Sequence, residues 1–254
     1  MNNSILLLGG PGPSTRIVYN RLAGQFGAFP VIIEDGMSRS ALIRNRIRKL
    51  GLRSTLSQLI FMTTIRPLLS YAARQRMREI ATVSNLNDGD IPETQLRRVS
   101  SVNAAETIAA LRAVSPKVII VNGTRIIARK VLESVPAIFI NTHAGITPKY
   151  RGAHGAYWAL ANADPDRCGV TIHIVDSGID TGAIVAQALV APTSKDSFVT
   201  YPYLQLAAAL PLLVDAVGKA LDNKLVTQPA EGESAVWYHP GVFQYLAGRA
   251  RGIK

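Results

Sequence analysis

The chain begins with Ser4-Ile-Leu-Leu-Leu8, an apolar run cut off by Gly9-Gly10-Pro11-Gly12-Pro13 before a helix has room to form. A short run of this kind, ended by glycine and proline, reads as a buried β-strand. Ser14 is placed to cap a helix through about Gln25, with Ile17, Val18, Leu22 and Phe26 as its apolar stripe. Pro30 to Ile33 gives a second strand, followed by Glu34-Asp35-Gly36. Strand, glycine loop, helix, strand is the opening of a nucleotide-binding α/β unit. It narrows the fold class to α/β, with a Rossmann-like, mostly parallel sheet and helices on both faces. Backbone N–H groups at a helix N-terminus hold anions, so Gly10, Gly12, Ser14 and Thr15 are expected to contact a phosphate. Gly10-x-Gly12-x-x-Thr15 lacks the third glycine of a dinucleotide fingerprint, although Glu34 lies 24 residues after Gly10, near the distance of a ribose-binding acid.

At 254 residues, 48% apolar and 18% charged, the chain is sized for one α/β domain or a domain with an appendage. A single cysteine, Cys168, allows no internal disulfide and fits a reducing compartment. The first residues lack a basic segment, and Ile5–Leu8 is too short for a secretory core, so no leader is expected. No apolar run is expected to span a membrane. The expected location is cytoplasmic, with association at the inner membrane face as a variant.

The net charge of +11 (28 − 17) is concentrated. Between Met37 and Glu79 ten Arg and Lys residues stand against one acid, Glu79. Residues 37–79 read as a basic helical insertion. Ser40 caps a helix through Leu50, Gly51 stops it, and Leu56, Leu59, Ile60, Ile65, Leu68, Leu69 and Ala72 give helical spacing broken at Pro67. Such helices suit an anionic membrane surface, a phosphorylated substrate, or a solvated hairpin packed on the sheet. Only Phe61 and Tyr71 are aromatic here, so stacking platforms are missing and no nucleic-acid partner is expected.

Farther along, Glu79–Val83 reads as a third strand, Asn85–Pro92 as a loop, Ala104–Val114 as a helix and Lys117–Val121 as a strongly apolar fourth strand. A helix near Gly155–Asn162 carries Tyr157 and Trp158 as packing residues. Strands follow at Val170–Val175 and about Ala183–Val190. Ser197 to Leu221 reads as helical, interrupted at Pro202 and Pro211.

The densest chemistry lies in Phe139-Ile-Asn-Thr-His-Ala-Gly-Ile-Thr-Pro-Lys-Tyr-Arg-Gly-Ala-His154 and in Gly169-Val-Thr-Ile-His-Ile-Val-Asp-Ser-Gly-Ile-Asp-Thr-Gly182. Asn141 and His143 are two apart on a strand end and project to one face. Asp180 lies at the tip of a turn-rich loop. An amide, an imidazole and a carboxylate at strand ends are the parts of an acyl-transfer site, whereas an isolated Asn-x-His is more often a turn pair that satisfies backbone than a catalytic one.

Taken together, Asn141, His143, Pro148, Tyr150, Gly152, Gly169, Thr171, His173, Asp180 and Gly182 resemble the 10-formyltetrahydrofolate-dependent N-formyltransferases, position for position. Gly123, Arg125, Ile126 and Ile127 are similar to the segment whose backbone grips the folate's pterin in that family. The resemblance implies 10-formyltetrahydrofolate as co-substrate and no metal. It implies Asn141 and protonated His143 as donors to the oxyanion, His143 as the source of a proton for N10, and Asp180 as the group that orients His143 and takes up the amine's proton. Ionised Asp180 is expected to raise the His143 pKa above ~6.5. His173, mid-strand, is read as structural, and His154 is left unassigned. The glycine loop also resembles the turn that holds the acceptor's phosphate in the glycinamide ribonucleotide enzymes.

Departures narrow the acceptor. The Pro-Ser-Leu-Leu of the common pattern is Ala144-Gly145-Ile146-Thr147, and the Glu that holds a ribose in glycinamide ribonucleotide enzymes corresponds to Leu206. The methionyl-tRNA enzymes carry a further β domain, which is not expected here. An amino-sugar nucleotide, or another phosphorylated small amine, is the expected acceptor. Glycinamide ribonucleotide formylation and hydrolysis of the formyl folate are the alternatives, with an NAD-dependent oxidoreductase and a membrane- or nucleic-acid-associated protein with a silent site as rivals from other classes. The resemblance divides the chain into 1–226, a formyltransferase domain containing the insertion 37–79, and a C-terminal extension, 227–254. Peripheral membrane contact through 37–79 and an oligomer stay open.

Overall fold

A computed structural model describes residues 2–254. The chain runs β1 (Ile5–Gly9), α1 (Pro13–Phe26) and β2 (Val31–Glu34) before the insertion begins. The insertion comprises α2 (Arg39–Leu50), α3 (Leu52–Ile60), a π-helical turn at Phe61–Ile65, α4 (Arg66–Ala72) and α5 (Arg74–Val83). There follow β3 (Leu96–Val99), α6 (Ala105–Val114), β4 (Val118–Asn122), α7 (Arg129–Leu132), β5 (Ile138–His143), β6 (Arg151–Gly152) and α8 (Gly155–Ala161). The chain closes with β7 (Gly169–Ile174), β8 (Ile184–Leu189), α9 (Tyr201–Leu221), β9 (Val236–Trp237) and α10 (Val242–Ala250).

Seven strands form one sheet in the order β3-β2-β1-β4-β5-β7-β8. The first five are parallel, and β7 and β8 join antiparallel. Continuous apolar runs suit strands covered on both faces. Ile5 and Leu7 pack with α1 and α9 on one side, and Leu6 and Leu8 pack with α6 on the other. A third, aromatic cluster unites Phe61 of the insertion, Tyr150, Tyr157 and Trp158, Phe198, and Tyr245 of α10. Tyr157 and Trp158 are therefore packing residues, as expected. Two-residue β9 pairs with β6, setting Trp237 beside Gly152.

Several local expectations fail for identifiable reasons. Glu79–Val83 is no strand but the end of α5. Ile80 is buried while its neighbours Glu79, Thr82 and Val83 are exposed, a pattern of helical and not alternating period. The third strand is Leu96-Arg-Arg-Val99, whose two exposed arginines suit a sheet edge. Gly12 occupies the N-cap position of α1, and Ser38, not Ser40, caps α2 by accepting from the Ala41 N–H. Pro67 does not break its helix. The π turn sends the Arg66 N–H back to Phe61 O, so Pro67 falls in the first turn of α4, where no N–H is required.

Pro202 and Pro211 likewise leave α9 whole, with Pro202 in the first turn and Pro211 inside. This 21-residue helix is long and apolar enough to cross a membrane, contrary to the expectation that no run reaches that length. Its buried residues, however, form one stripe, Tyr201, Gln205, Ala209–Leu210, Leu213, Ala216–Val217 and Ala220, laid against the sheet. That is the geometry of a core helix.

Candidate active site

The ends of β4, β5 and β7 surround a cleft of about 340 Å³ lined by Gly123–Ile127, Asn141, His143, His173 and the 176–180 loop. Its size falls in the range of small-molecule sites. Because β5 and β7 are antiparallel, Asn141 lies directly opposite His173, and His143 opposite Thr171. The loop after β7 then folds back over the strand ends. Asp176 accepts from the Gly178 N–H and the Thr181 hydroxyl, and Asp180 takes a left-handed backbone conformation (φ 50°). Asp tolerates that region better than most residues, and such backbone strain collects at functional sites.

Asp180 Oδ2 lies 3.3 Å from His143 Nδ1 and accepts from the Gly152 N–H at 2.9 Å. Gly152 itself needs its φ of 90°, and a side chain there would strike the Trp237 carbonyl. The far edge of the His143 ring donates from Nε2 to the Tyr150 carbonyl at 2.7 Å. Nδ1 therefore carries the second proton only when the ring is charged. Burial lowers the His143 pKa below its ordinary value. The opposing pull of Asp180 and the Tyr150 carbonyl does not make up the difference. This overturns the expectation that Asp180 would raise it: desolvation of a ring only 5% exposed outweighs one carboxylate. A neutral ring also fits the 3.3 Å separation, which is long for an imidazolium–carboxylate bond. Burial works to raise the Asp180 pKa, but His173, His143 and the Gly152 N–H together hold it below the usual carboxylate range.

His173 is more than a strand residue. Its Nδ1 donates to the Ile174 carbonyl at 2.8 Å, so when the ring is neutral Nε2 accepts from the Asn141 Nδ2 at 3.0 Å, and only a protonated ring can donate from Nε2 to Asp180 Oδ1 at 3.5 Å. A second, longer bond runs from Asn141 Nδ2 to Asp180 Oδ1 at 3.4 Å. The antiparallel turn of β7 brings His173 to the cleft, and its Asn141 partner was hidden in the sequence by a separation of 32 positions.

Gly123, Arg125, Ile126 and Ile127 share this cleft with Asn141, His143 and Asp180. The Arg125 N–H is bound to Glu34 Oε1, its Nε pairs with Glu34 Oε2 at 2.6 Å, and the Ile126 carbonyl accepts from Asn103. Buried Glu34 also accepts from the Val102 N–H, so it anchors the 123–127 segment and is not free for a ribose. The Ile126 N–H and both backbone groups of Ile127 have no hydrogen bond among the described residues. They are available to a ligand.

Gly10, Gly12, Ser14 and Thr15 do not line the cleft. Gly10 donates to the Asn122 carbonyl, and the Asn122 amide donates to the Ser14 and Thr15 hydroxyls. Gly12 and Thr15 border a separate depression with Arg16, Asp90, Glu93 and Arg98. Among the described residues no group of three or more His, Cys, Asp and Glu could hold a metal ion.

A model of the formyl transferase family matches residues 35–209. The chain is 32% identical over 127 residues to a methionyl-tRNA formyltransferase of Thermodesulfovibrio yellowstonii, an alignment covering 50% of this chain and 41% of that protein. The chain thus spans less than half the length of that relative. Among solved structures, a sugar N-formyltransferase from a Shewanella species superposes with a TM-score of 0.58 at 15% identity, covering 96% of this chain and 78% of the other. A phosphoribosylglycinamide formyltransferase from Anaplasma phagocytophilum superposes at 0.56 and 16% identity, covering 93% and 97%. At these identities the superpositions establish a shared fold. With the family match extending over more than half its length, the chain belongs to the formyl transferase family.

Proposed function

We propose that the protein moves a formyl group from 10-formyltetrahydrofolate to the primary amine of a phosphorylated small acceptor, an amino-sugar nucleotide in the first instance. One observation carries this reading. Asn141, His143 and Asp180 are within mutual reach beside a wall of unpaired backbone groups at Ile126 and Ile127. A pterin edge presents both donors and acceptors, and the wall offers both.

Such a reaction needs no protein nucleophile, because a neutral amine attacks the formyl carbon itself. Asn141 would turn the longer of its two N–H bonds, the one to Asp180, toward the developing oxyanion, while His173 keeps hold of the other. The Nδ1 edge of neutral His143 and the ionised Asp180 form a proton-accepting pair for the attacking amine, and a proton taken up there can return to the leaving nitrogen. On the acceptor side, Leu206 packs half-buried against the core, where the glycinamide ribonucleotide pattern has a ribose-binding carboxylate. That favours a different acceptor. The N-terminus of α1 remains the proposed phosphate contact, through the backbone N–H groups of Gly12, Ser14 and Thr15, since the Gly10 N–H is given to the Asn122 carbonyl.

A thermal-shift comparison tests the class. 5-Formyltetrahydrofolate should raise Tm and NAD should not, and an amino-sugar nucleotide should add to the shift. Stabilisation by NAD alone would overturn the reading.

A further inference from the structure

The insertion and the C-terminal helix carry apolar stripes that the core does not use. Leu52, Leu56 and Ile60 recur along one side of α3, and Leu68 and Tyr71 along α4. On α10, Phe243 and Leu246 are followed by Ala247 and Ala250 at the same helical spacing. Their large side chains are exposed, from 44% at Ile60 to 80% at Phe243. These are second faces and not displaced core faces, because the same helices bury Thr55, Gln58, Tyr245 and Gly248 on their inner sides. α3 and α10 lie together. The Val242 N–H donates to Ser57 Oγ at 2.9 Å, and Gln58 donates to the His239 carbonyl at 2.7 Å.

The surrounding charge is of one sign. Neither 37–78 nor 234–254 contains an acidic residue. Arg76 is held by Asp196 and Glu79. Among the described residues no salt bridge engages Arg44, Arg48, Arg53, Arg66 or Arg74, and Arg74 lies over the Tyr71 ring at 4.2 Å. Arg44 and Arg48 border an open depression on α2. Exposed leucines and aromatics ringed by unpaired cations are the composition of an interfacial surface. A second copy of the chain would bring the same positive charge against itself, which opposes that occupant.

We infer that α2–α4 and α10 form a docking face for an anionic phospholipid bilayer. Leu52, Leu56, Leu68 and Phe243 enter the acyl boundary, and Arg44, Arg48 and Arg66 hold headgroup phosphates. This inference is independent of the chemistry assigned to the cleft, and its readout is binding.

The full chain would be sedimented with vesicles of phosphatidylglycerol and phosphatidylcholine in equal parts, and with phosphatidylcholine alone. The expected result is binding to the mixed vesicles that is at least ~10-fold stronger than to the neutral ones and is lost in high salt. Leu56→Glu with Phe243→Glu, and separately Arg44→Glu with Arg48→Glu, should each weaken it by ~10-fold or more while leaving Tm and formyl transfer unchanged. Equal binding to both vesicle types, no binding to either, or binding indifferent to both pairs of substitutions would overturn it. So would concentration-dependent self-association in solution that the apolar pair abolishes, since the face would then belong to a second copy.

Discussion

Asn141 and His173 face each other across the β5–β7 pairing, and the amide of one is held by the ring nitrogen of the other at 3.0 Å. The His173 Nδ1 is committed to the Ile174 carbonyl, so in the neutral ring Nε2 accepts and holds the amide with its N–H groups toward the cleft, whereas a protonated ring would turn Nε2 to Asp180 Oδ1, 3.5 Å away. His173→Leu should therefore lower kcat by roughly 10- to 100-fold with little change in the KM for folate, because the donor is lost and the slot is kept. Steady-state kinetics check this, and His173→Gln, whose side-chain oxygen can still accept from Asn141, should restore part of the loss. Equal losses in both variants would make His173 merely a packing residue.

Gly145 sits where a Cβ would meet the Tyr150 carbonyl at 2.2 Å and the His143 Nε2 at 2.8 Å. This is where the common family pattern carries a serine, so the approach of His143 to Tyr150 belongs to this chain's own loop. Gly145→Ala should cost about 1–3 kcal/mol in stability by overpacking and displace the imidazole from Asp180. Denaturant melts and a loss of kcat exceeding 10-fold, by order of magnitude, are the expected readouts.

Glu34 neutralises Arg125 and accepts from the Arg125 N–H, which positions the 123–127 segment, and from the Val102 N–H. Glu34→Ala leaves both N–H groups without an acceptor and the Arg125 guanidinium without its counter-charge, though still bound to the Asp35 and Ser100 carbonyls, and should destabilise by about 2–4 kcal/mol. In protein that still folds, the KM for the folate should rise more than kcat falls. A variant with altered nucleotide affinity and normal folate kinetics would revive the ribose-binding reading of Glu34.

Acid should destabilise the fold through two half-buried imidazoles, His154 and His239. Burial drives His154 down to about 3 and His239 to about 4, and the two share a hydrogen bond of 2.8 Å. Neither ring takes a proton in the folded state until well below the pH at which the unfolded chain does, near 6.5. The unfolded state therefore binds more protons below that value, and stability falls as pH drops through 6.5 towards 4 and 3. By pH ~5 each ring should have cost about 2 kcal/mol relative to neutral pH. His239→Gln should remove about that much of the loss, as measured by chemical denaturation at the two pH values.

Most of the sheet was legible because its strands are buried on both faces and read as unbroken apolar runs. The edge strand was not, since Arg97 and Arg98 break the run, while the apolar end of α5 carries the β-prone residues Ile80 and Val83. Asn141, His143 and Asp180 were recognisable from their motif, and their mutual reach followed from strand ends meeting one loop. His173's role depends on a cross-strand register that spacing alone does not reveal. The His143 pKa depends on burial, for which no short motif carries a signal. Glu34 was visible as an acid at a suggestive distance, but its partner Arg125 lies 91 residues away and came into view only with the fold.

The most direct test of the central proposal follows radiolabelled formyl from 10-formyltetrahydrofolate into a panel of amino-sugar nucleotides, with the native chain and with Asn141→Ala. The expected result is transfer to at least one primary amine, slowed about 100-fold or more in the variant, which should still bind 5-formyltetrahydrofolate. Transfer that proceeds equally well without the Asn141 amide, or a label that never leaves the folate with any amine supplied, would contradict it.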